Sequence, residues 1–246
     1  MKIALDHLAV AGATRAEAEA HAAASLGQAL QPGGEHAVFH THNSLLGLDE
    51  GLYLEAIAVN PEAPAPDRAR WFDLDRFSGP PRLANWICAC DDLDAVLEHL
   101  PEGFGRPVHL QRGDLKWRMA VPESGILPFD NCAPALMQWD GDAHPGQRLT
   151  PSGCRLTGLE VWHPEAEALA VLTREAFVRL SAPAPQSLAR KLNTLPEEAN
   201  LPASVQQDLS TYIHLLRAAL KNGSSTRISL AVQAAFFTDF SAEGLH

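Results

Sequence analysis

The sequence IALDHLAV at residues 3–10 begins a pattern that recurs along the chain and decides the fold. It is a short apolar run of the kind that forms a buried β-strand. The Ala-rich segment RAEAEAHAAASLG at 15–27 follows it, and Thr14 and Glu17 form a T-x-x-E capping box at the start of that segment. Gly27 is a typical end signal for a helix. These features predict a strand followed by a helix.

The same design occurs twice more along the chain. The run RLANWICAC at 82–90 is followed by the N-cap candidates Asp91 and Asp92 and then by apolar residues at helical spacing. The run RLTGLEVW at 155–162 is followed by Pro164, which suits the first turn of a helix. Because an internal repeat governs the whole architecture, this recurrence predicts a modular protein.

Three extended segments are expected after each of the first two helices, separated by glycine-containing turns such as the one at Gly33 and Gly34. These segments lie at 36–41, 43–48 and 52–59, and at 107–111, 117–121 and 133–139. A strand, a helix and three strands, found twice, form two βαβββ modules. We therefore predict an α+β protein in which paired βαβββ modules form curved mixed sheets around a cleft.

The domain boundaries follow from this repeat. We assign residues 1–59 to the first module, 60–81 to a Pro-rich linker, 82–145 to the second module, 155–201 to a partial third module and 202–246 to a C-terminal helical extension. Trp71 and Phe72 predict that the linker packs against the modules. In the extension, Ser204 and Gln207 form a capping box that predicts a helix, and residues 226–233 are expected to form a strand.

The composition narrows the range of partners and compartments. A net charge of −11 leaves no dense Lys/Arg stripe, so a nucleic-acid partner is not expected. No stretch reaches the roughly 18–20 apolar residues that cross a bilayer, so no membrane partner is expected. Asp6 and His7 interrupt the N-terminal apolar run too early for a signal peptide. The four cysteines are few for this length, which predicts a cytoplasmic protein, and Cys88 and Cys90 in the apolar run are expected to be buried free thiols.

The ordered segments resemble the glyoxalase-like domain proteins of the vicinal oxygen chelate superfamily. The resemblance rests on LDHLAV, PGGEH, HTHNSLLGL and YLEAIAV in the first half, and on NWICACDDLDAV, LKWRMAVPESG and APALMQWDGDAHP in the second. It covers residues 1–145 well and 155–200 loosely. It implies a cleft with a divalent metal (Fe, Mn, Ni, Co or Zn) at its floor. It also implies a metal-dependent lyase, isomerase or dioxygenase that acts on a small oxygen-rich substrate.

The resemblance also implies where metal ligands lie, since each module of the metal-dependent members gives one ligand from its first strand and one from its last. The first module offers His7 and Glu55 at these positions. In the second module Trp86 stands where His or Gln is expected, and its indole N–H can only donate. Gln138 stands in place of a carboxylate and offers a neutral oxygen. The implied metal ligands are therefore His7, Glu55 and Gln138, and no catalytic base is assigned.

A histidine-rich segment follows the Gly-Gly pair, beside the predicted cleft. Three of the eleven histidines fall within seven residues there. On an extended strand His40 and His42 share a face, a spacing compatible with two ligands, and the near-neutral pKa of histidine suits acid/base work. A solvent-facing polar strand is the alternative interpretation. The candidates for substrate binding are His36, His40, His42, Asn43, Trp86 and Trp139.

Glu55 is a candidate on physical grounds as well, because LYLEAIAV should be at least half buried. A buried carboxylate needs a partner, which can be a metal, an arginine or a substrate. A buried salt bridge without a function is the alternative.

Two functions from different classes remain open at this point. The first is the metal-assisted enzyme, with Gln138 or a histidine of the 36–42 segment completing the site. The second is a metal-free module that binds and sequesters a small aromatic or hydrophobic ligand between Trp86, Trp117 and Trp139. The segment after residue 202 is interpreted as a cap over the cleft or as a contact in a homodimer.

Overall fold

The computed structural model describes residues 2–176 and 227–234. Its first module contains β1 (Ile3–Ala11), α1 (Arg15–Leu26), β2 (Gln31–His36), β3 (Thr41–Gly47) and β4 (Tyr53–Val59). Its second module contains β5 (Arg82–Cys90), α2 (Leu93–Leu97), β6 (Arg106–Arg112), β7 (Leu115–Val121) and β8 (Ala135–Trp139). β9 (Cys154–Trp162), α3 (Ala166–Ala176) and β10 (Arg227–Ala234) follow. The predicted α+β architecture with two βαβββ modules is confirmed.

The helix caps are those that the sequence predicts. The Thr14 hydroxyl accepts a hydrogen bond from the Glu17 backbone N–H at 3.2 Å, and Gly27 ends α1 in the left-handed conformation. The Asp92 carboxylate caps α2 by accepting from the Ala95 backbone N–H. Each helix is therefore fixed directly after the first strand of its module.

The two modules share one mixed eight-stranded sheet in the order β2-β3-β4-β1-β5-β8-β7-β6. Within each module the first and last strands pair in parallel, β1 with β4 and β5 with β8. The modules join where β1 pairs with β5 in antiparallel orientation. The sheet curves until its outer strands approach each other, since Arg112 at the end of β6 donates to Asn43 of β3 at 3.1 Å. The concave face between the outer strands forms the cleft.

Alternation along the strands divides the two faces of the sheet. Along β4, Leu54 and Ala56 pack with Ala18 of α1 in one hydrophobic cluster, on the convex side. Tyr53 and Glu55 point the other way and line the cleft. The position of α1 therefore decides which residues of the first module face the cleft.

The strand predicted at 36–41 is wrong, and so is the turn predicted at Gly33 and Gly34. β2 is Gln31–His36 and contains both glycines, while residues 37–40 form the turn to β3. A Cβ on Gly33 would lie 2.1 Å from Asn43 Oδ1. The glycines are thus required because the edge strand β2 lies very close to β3, and not because the chain turns there. The pairing of the two strands has an irregular register between Pro32 and Glu35.

The linker packs against the modules, as its aromatic residues predict. A 3₁₀ helix at Trp71–Arg76 buries Trp71 and Phe72. Trp71 stacks on Phe39 with ring centroids 4.3 Å apart. The linker therefore contributes a wall to the cleft.

The third unit begins as predicted with a strand and a helix, β9 and α3. The strand expected at 226–233 is observed as β10, which pairs with β9 in antiparallel orientation. The helix predicted from Ser204 lies outside the described residues. Cys88 and Cys90 are buried free thiols, as predicted, and Cys132 and Cys154 are also buried and free. Within residues 2–176 and 227–234, no helix is long and apolar enough to cross a membrane.

Candidate active site

The cleft contains a cavity whose walls come from both modules and from the linker. The first module contributes His7, His36, Asn43, Tyr53 and Glu55, the linker Trp71 and Phe72, and the second module Arg112, Trp117, Met119 and Trp139. The wall is polar on the side of the first module. On the side of the second module it is mostly aromatic.

A buried carboxylate lies in this cavity. Glu55 Oε2 accepts a hydrogen bond from Asn43 Nδ2 at 2.7 Å, while Oε1 lies 3.7 Å from His7 Nε2. Burial would raise the pKa of Glu55, but the neighbouring His7 ring and the Asn43 amide outweigh burial and lower it below its ordinary value. Glu55 is therefore ionised at neutral pH, and Oε1 is its less engaged oxygen.

Asp6 binds the His7 ring through Nδ1, the nitrogen that does not face Glu55. The His7 Nδ1–H donates to Asp6 Oδ1 at 2.6 Å, and the ring stacks on Tyr53 with centroids 4.4 Å apart. Burial would lower the pKa of His7, but its contacts with Asp6 and Glu55 outweigh burial and raise the pKa to about 9. His7 is therefore an imidazolium at neutral pH, with Nε2–H directed towards Glu55.

The Asp6 carboxylate accepts three hydrogen bonds. Besides His7, the Trp139 indole N–H donates to Oδ2 at 2.8 Å and His144 Nε2 lies 2.9 Å from the same oxygen. His144 Nδ1 accepts from the Gly146 backbone N–H, so Nε2 carries the hydrogen. Burial would raise the pKa of Asp6, but these hydrogen bonds hold it far below its ordinary value. Asp6 is thus a fixed anion that orients His7.

A second polar group lies where the outer strands meet. Arg112 Nη1 donates to Asn43 Oδ1 at 3.1 Å and lies 3.5 Å from His36 Nε2. His36 Nδ1 lies 2.9 Å from the Thr41 hydroxyl oxygen. Burial lowers the pKa of His36 to about 4, and the charge of Arg112 acts in the same direction. His36 is therefore neutral and can accept from the guanidinium.

Four of the residues predicted for the site do not join it. His40 lies in the turn before β3 at φ 49°, and its Nδ1 contacts the Pro64 carbonyl. His42 lies on β3 but on the opposite face from Asn43, where the charge of Arg15 acts on it. The prediction that His40 and His42 share a strand face is therefore wrong, because His40 is not on the strand.

The two second-module candidates are used for packing. Gln138 Oε1 accepts from the Leu93 backbone N–H at 2.9 Å and from Arg118 Nη2 at 2.7 Å, on the face that carries α2. The Trp86 indole N–H donates to the Cys132 carbonyl at 2.9 Å, and Trp86 is not in the cavity wall. Gln138 therefore lies on the wrong face of β8 to ligate with His7. Its neighbour Trp139 points into the cavity instead.

Sequence reasoning missed Asp6, Arg112 and His144. Asp6 precedes His7, and a register shift between Leu5 and His7 lets two consecutive residues reach one site. Arg112 and His144 carry no local signal, since only the curvature of the sheet and the loop after β8 bring them to the cleft. The odd pair Asp6-His7 inside an apolar run was the one signal available from sequence.

The residues of the cavity do not fit a divalent metal. His7, His36 and Glu55 supply donors of a suitable type, but in the part of the chain that the structure describes no three His, Cys, Asp or Glu residues are grouped to hold an ion. The polar group next to His36 is the Arg112 guanidinium, which repels cations. Protein sites for such metals supply three or more ligands, and the facing wall supplies Trp117, Met119 and Trp139 instead.

Comparisons with known proteins agree with the fold. A family model described as "Glyoxalase-like domain" matches residues 5–177, which confirms the resemblance expected from the motifs. A hypothetical protein from Staphylococcus aureus has a similar structure, with 14% identity, coverage of 72% of this chain and 76% of its own, and a TM-score of 0.51. This likeness shows the fold alone.

Two further solved structures are similar at lower scores. Methylmalonyl-CoA epimerase from Mycobacterium tuberculosis is 19% identical, with coverage of 56% of this chain and 88% of its own and a TM-score of 0.37. A hypothetical protein from Bacillus halodurans C-125 is 14% identical, with coverage of 58% and 98% and a TM-score of 0.38. No curated protein matches the sequence significantly.

Proposed function

Because this chain belongs to the glyoxalase-like domain family, we propose that it is an enzyme of the isomerase or lyase type that moves a proton on a small oxygen-rich substrate in the cleft. One observation carries the proposal. The buried Glu55 carboxylate faces the cavity with Oε2 fixed by Asn43 and Oε1 3.7 Å from His7 Nε2. That distance is longer than a hydrogen bond, so both groups are available to a substrate.

The two groups suit opposite roles in one reaction. Glu55 is ionised and acts as the base that removes a proton from a carbon next to a carbonyl group. The electron pair of the broken C–H bond forms the C=C bond of an enolate while the carbonyl π pair moves to the oxygen, where the His7 Nε2–H stabilises the negative charge. Return of the proton at another face or carbon gives an isomer. Loss of a group from the neighbouring carbon gives a lyase product.

Asp6 supports this reaction without touching the substrate. It holds His7 by Nδ1 and keeps the ring charged, so that Nε2–H stays directed into the cavity. Trp139 and His144 fix the Asp6 carboxylate in turn. A base and an oriented acid are thus positioned before the substrate arrives, which lowers the reorganisation that the reaction needs.

The metal-dependent lyase, isomerase or dioxygenase implied by the family resemblance needs a different donor set. His7, His36 and Glu55 are donors of the expected type, but Asp6 holds His7 as an imidazolium and Arg112 contacts His36. The proposed reaction therefore uses no metal. Metal dependence is one of the outcomes of the experiment below.

The experiment follows proton exchange. Pyruvate and hydroxyacetone are incubated with the metal-free protein in D₂O, and loss of the methyl signal is followed by ¹H NMR. Wild type is expected to accelerate exchange, and Glu55→Gln to reduce the rate by about 10²-fold or more, as for loss of a general base. Glu19→Gln is the matched control, since Glu19 bonds Ser44 on the convex side of the sheet.

Two results would overturn the proposal. The first is exchange that does not exceed the buffer rate for either compound. The second is activity that appears only with added Mn, Fe, Co, Ni or Zn and is lost together with metal affinity in His7→Ala. The second result would establish the metal-dependent reaction instead.

A metal-free binding protein is the second candidate, and the three tryptophans of the cavity wall favour it. Trp71, Trp117 and Trp139 supply a large rigid aromatic surface. Under this alternative a small aromatic ligand quenches tryptophan fluorescence equally in wild type and Glu55→Gln, and no compound exchanges protons.

The location and assembly belong to the same proposal. We place the enzyme in the cytoplasm, in line with the four buried free thiols. We also propose a homodimer that acts on a small molecule and binds neither nucleic acid nor membranes. Sedimentation of the full chain tests the dimer.

A further inference from the structure

Arg112 is a cation that has no anionic partner among the described residues. Its Nη1 bonds the neutral Asn43 amide and lies near the neutral His36 ring. No described carboxylate lies within 4.0 Å of its guanidinium, in contrast to the ion-paired Arg118 and Arg148. Arg15, Arg68 and Arg82 also form no ion pair with a described residue, but Arg112 differs from them because it lines the cavity. A half-buried guanidinium in a cavity wall is unusual without such a partner. Its other N–H groups make no hydrogen bond to a residue that the structure describes.

An independent observation points to a ligand at the same place. The Trp71 indole nitrogen is buried and has no hydrogen-bond partner within the described part of the chain, while Trp71 itself lines the cavity. Buried N–H donors are almost always satisfied, so an unsatisfied one in a cavity wall requires an explanation. The Trp71 ring meets the edge of His36 at a centroid distance of 5.0 Å, and His36 also contacts Arg112. Trp71 and Arg112 therefore flank the same imidazole.

We propose that this end of the cavity binds the carboxylate group of a small anionic substrate, with Arg112 as the charged donor and the Trp71 indole N–H as a second donor. A guanidinium fork matches the two coplanar oxygens of a carboxylate. The aromatic walls restrict the remainder of the ligand to a small group. This inference rests on the proposed function, because it names the substrate class of the same cleft.

Asn43 places the carboxylate site next to the base. Its Oδ1 accepts from Arg112 and its Nδ2 donates to Glu55, so one amide separates the cation from the catalytic carboxylate. The Gly34 backbone N–H also donates to Asn43 Oδ1 at 2.9 Å and fixes the orientation of the amide. A carboxylate held by Arg112 would place the C2 carbonyl of a 2-oxo acid beside it and bring the C3 protons, which are next to that carbonyl, towards Glu55. The substrate class is thus a small 2-oxo acid.

The test compares pyruvate with pyruvamide, its neutral isostere, by the ¹⁵N–¹H signals of the indole groups. The Trp71 signal is assigned by its loss in Trp71→Phe. Pyruvate is expected to shift the Trp71 signal, and pyruvamide to bind at least about tenfold more weakly, because a charge-assisted hydrogen bond is lost. Arg112→Gln should weaken pyruvate binding by a similar factor. Arg112→Lys keeps the charge but loses the planar two-donor geometry of the guanidinium. Its affinity for pyruvate is expected to lie between those of wild type and Arg112→Gln.

Arg118→Gln is the matched control, since Arg118 pairs with Asp94 on the convex face. It removes the same charge without touching the cavity, and pyruvate binding should not change. Three results would each overturn the inference: equal binding of pyruvate and pyruvamide, equal pyruvate binding in Arg112→Lys and wild type, or binding of inorganic phosphate but not pyruvate at the Trp71 signal.

Glu55→Gln separates this inference from the proposed function. If both are correct, Glu55→Gln loses proton exchange and still binds pyruvate through Arg112. If only the proposed function fails, wild type binds pyruvate in an Arg112-dependent way without exchanging protons. If only the anion site fails, wild type exchanges protons on hydroxyacetone and pyruvate equally, and Arg112→Gln exchanges both at the wild-type rate.

Discussion

Asp6 and His7 show how two neighbouring residues of a strand can serve one site. In a regular strand they would point to opposite faces, but the shift in register between Leu5 and His7 turns both into the interior. Both are about 5% exposed. The pair is therefore buried as a unit, and the charge on His7 depends on Asp6 as much as on Glu55.

The charge on His7 makes the stability of the protein depend on pH. The unfolded chain loses this proton near the ordinary pKa of 6.5, whereas the folded chain keeps it to about 9. The stabilisation is therefore complete below pH 6.5 and is lost as the pH rises through 9. We expect the free energy of unfolding to fall by up to about 3 kcal/mol across this window.

Urea unfolding at pH 6 and pH 9.5 measures this effect. His7→Gln is expected to be less stable at both pH values, because two buried carboxylates lose their partner, but its stability should change less between them. The idea fails if wild type and His7→Gln show the same pH dependence.

At the scale of single residues, a site residue could be predicted only where it differs in polarity from its neighbours in the sequence. His7 and Glu55 stand out as polar residues in apolar strands, His36 and Asn43 belong to the histidine-rich segment beside the predicted cleft, and Trp139 was expected in the wall of the cleft. Gln138 was misplaced because a shift of one residue along a strand exchanges its faces. Arg112 lies far from the first module in sequence. No local pattern predicts that it reaches Asn43, 69 residues away.

The edge strand β2 shows at the scale of elements why composition alone misleads. A Gly-Gly pair is a typical turn signal, yet here it lies within a strand. Because these glycines have no side chain, Asn43 and Arg112 can pack directly against the β2 backbone. The error shifted the strand by several residues and placed His40 on it. The strands of the second module, β6, β7 and β8, were predicted within about two residues, because their apolar patterns contain no such exception.

The glycines of β2 lead to a prediction about stability and binding together. A Cβ on Gly33 would lie 2.6 Å from the Asn43 carbonyl oxygen, which cannot move without displacing β3. We expect Gly33→Ala to destabilise the protein by about 1–3 kcal/mol, as overpacking does. It should also weaken pyruvate binding, because Asn43 positions Arg112.

Gly158→Ala is the control for this prediction. Gly158 also lies in a strand, β9, but a Cβ there meets nothing within 4 Å among the described residues. Denaturation midpoints of the two variants and wild type are compared. A Gly33→Ala protein as stable as Gly158→Ala would show that β2 is not packed against Asn43 as described.

At the scale of the whole molecule, the site exists only because two modules share a sheet. The proposed acid/base pair, His7 and Glu55, comes from the first module, while Arg112 and the Trp139 donor to Asp6 come from the second. β1 lies at the centre of the sheet, between β4 and β5. Its sequence therefore has to satisfy the pairing of both modules and the chemistry of the site at once.

This shared sheet predicts that the first module does not fold alone as a monomer. A fragment of residues 1–81 would expose the edge of β1 that pairs with β5, and an open apolar edge of this kind promotes self-association. It would also leave Asp6 without the Trp139 and His144 donors. Circular dichroism and sedimentation of the fragment should show an unfolded or self-associated chain. A monomer that unfolds cooperatively would mean that the site in the first module is stable without its partner, and that the second module only supplies the wall and the cation.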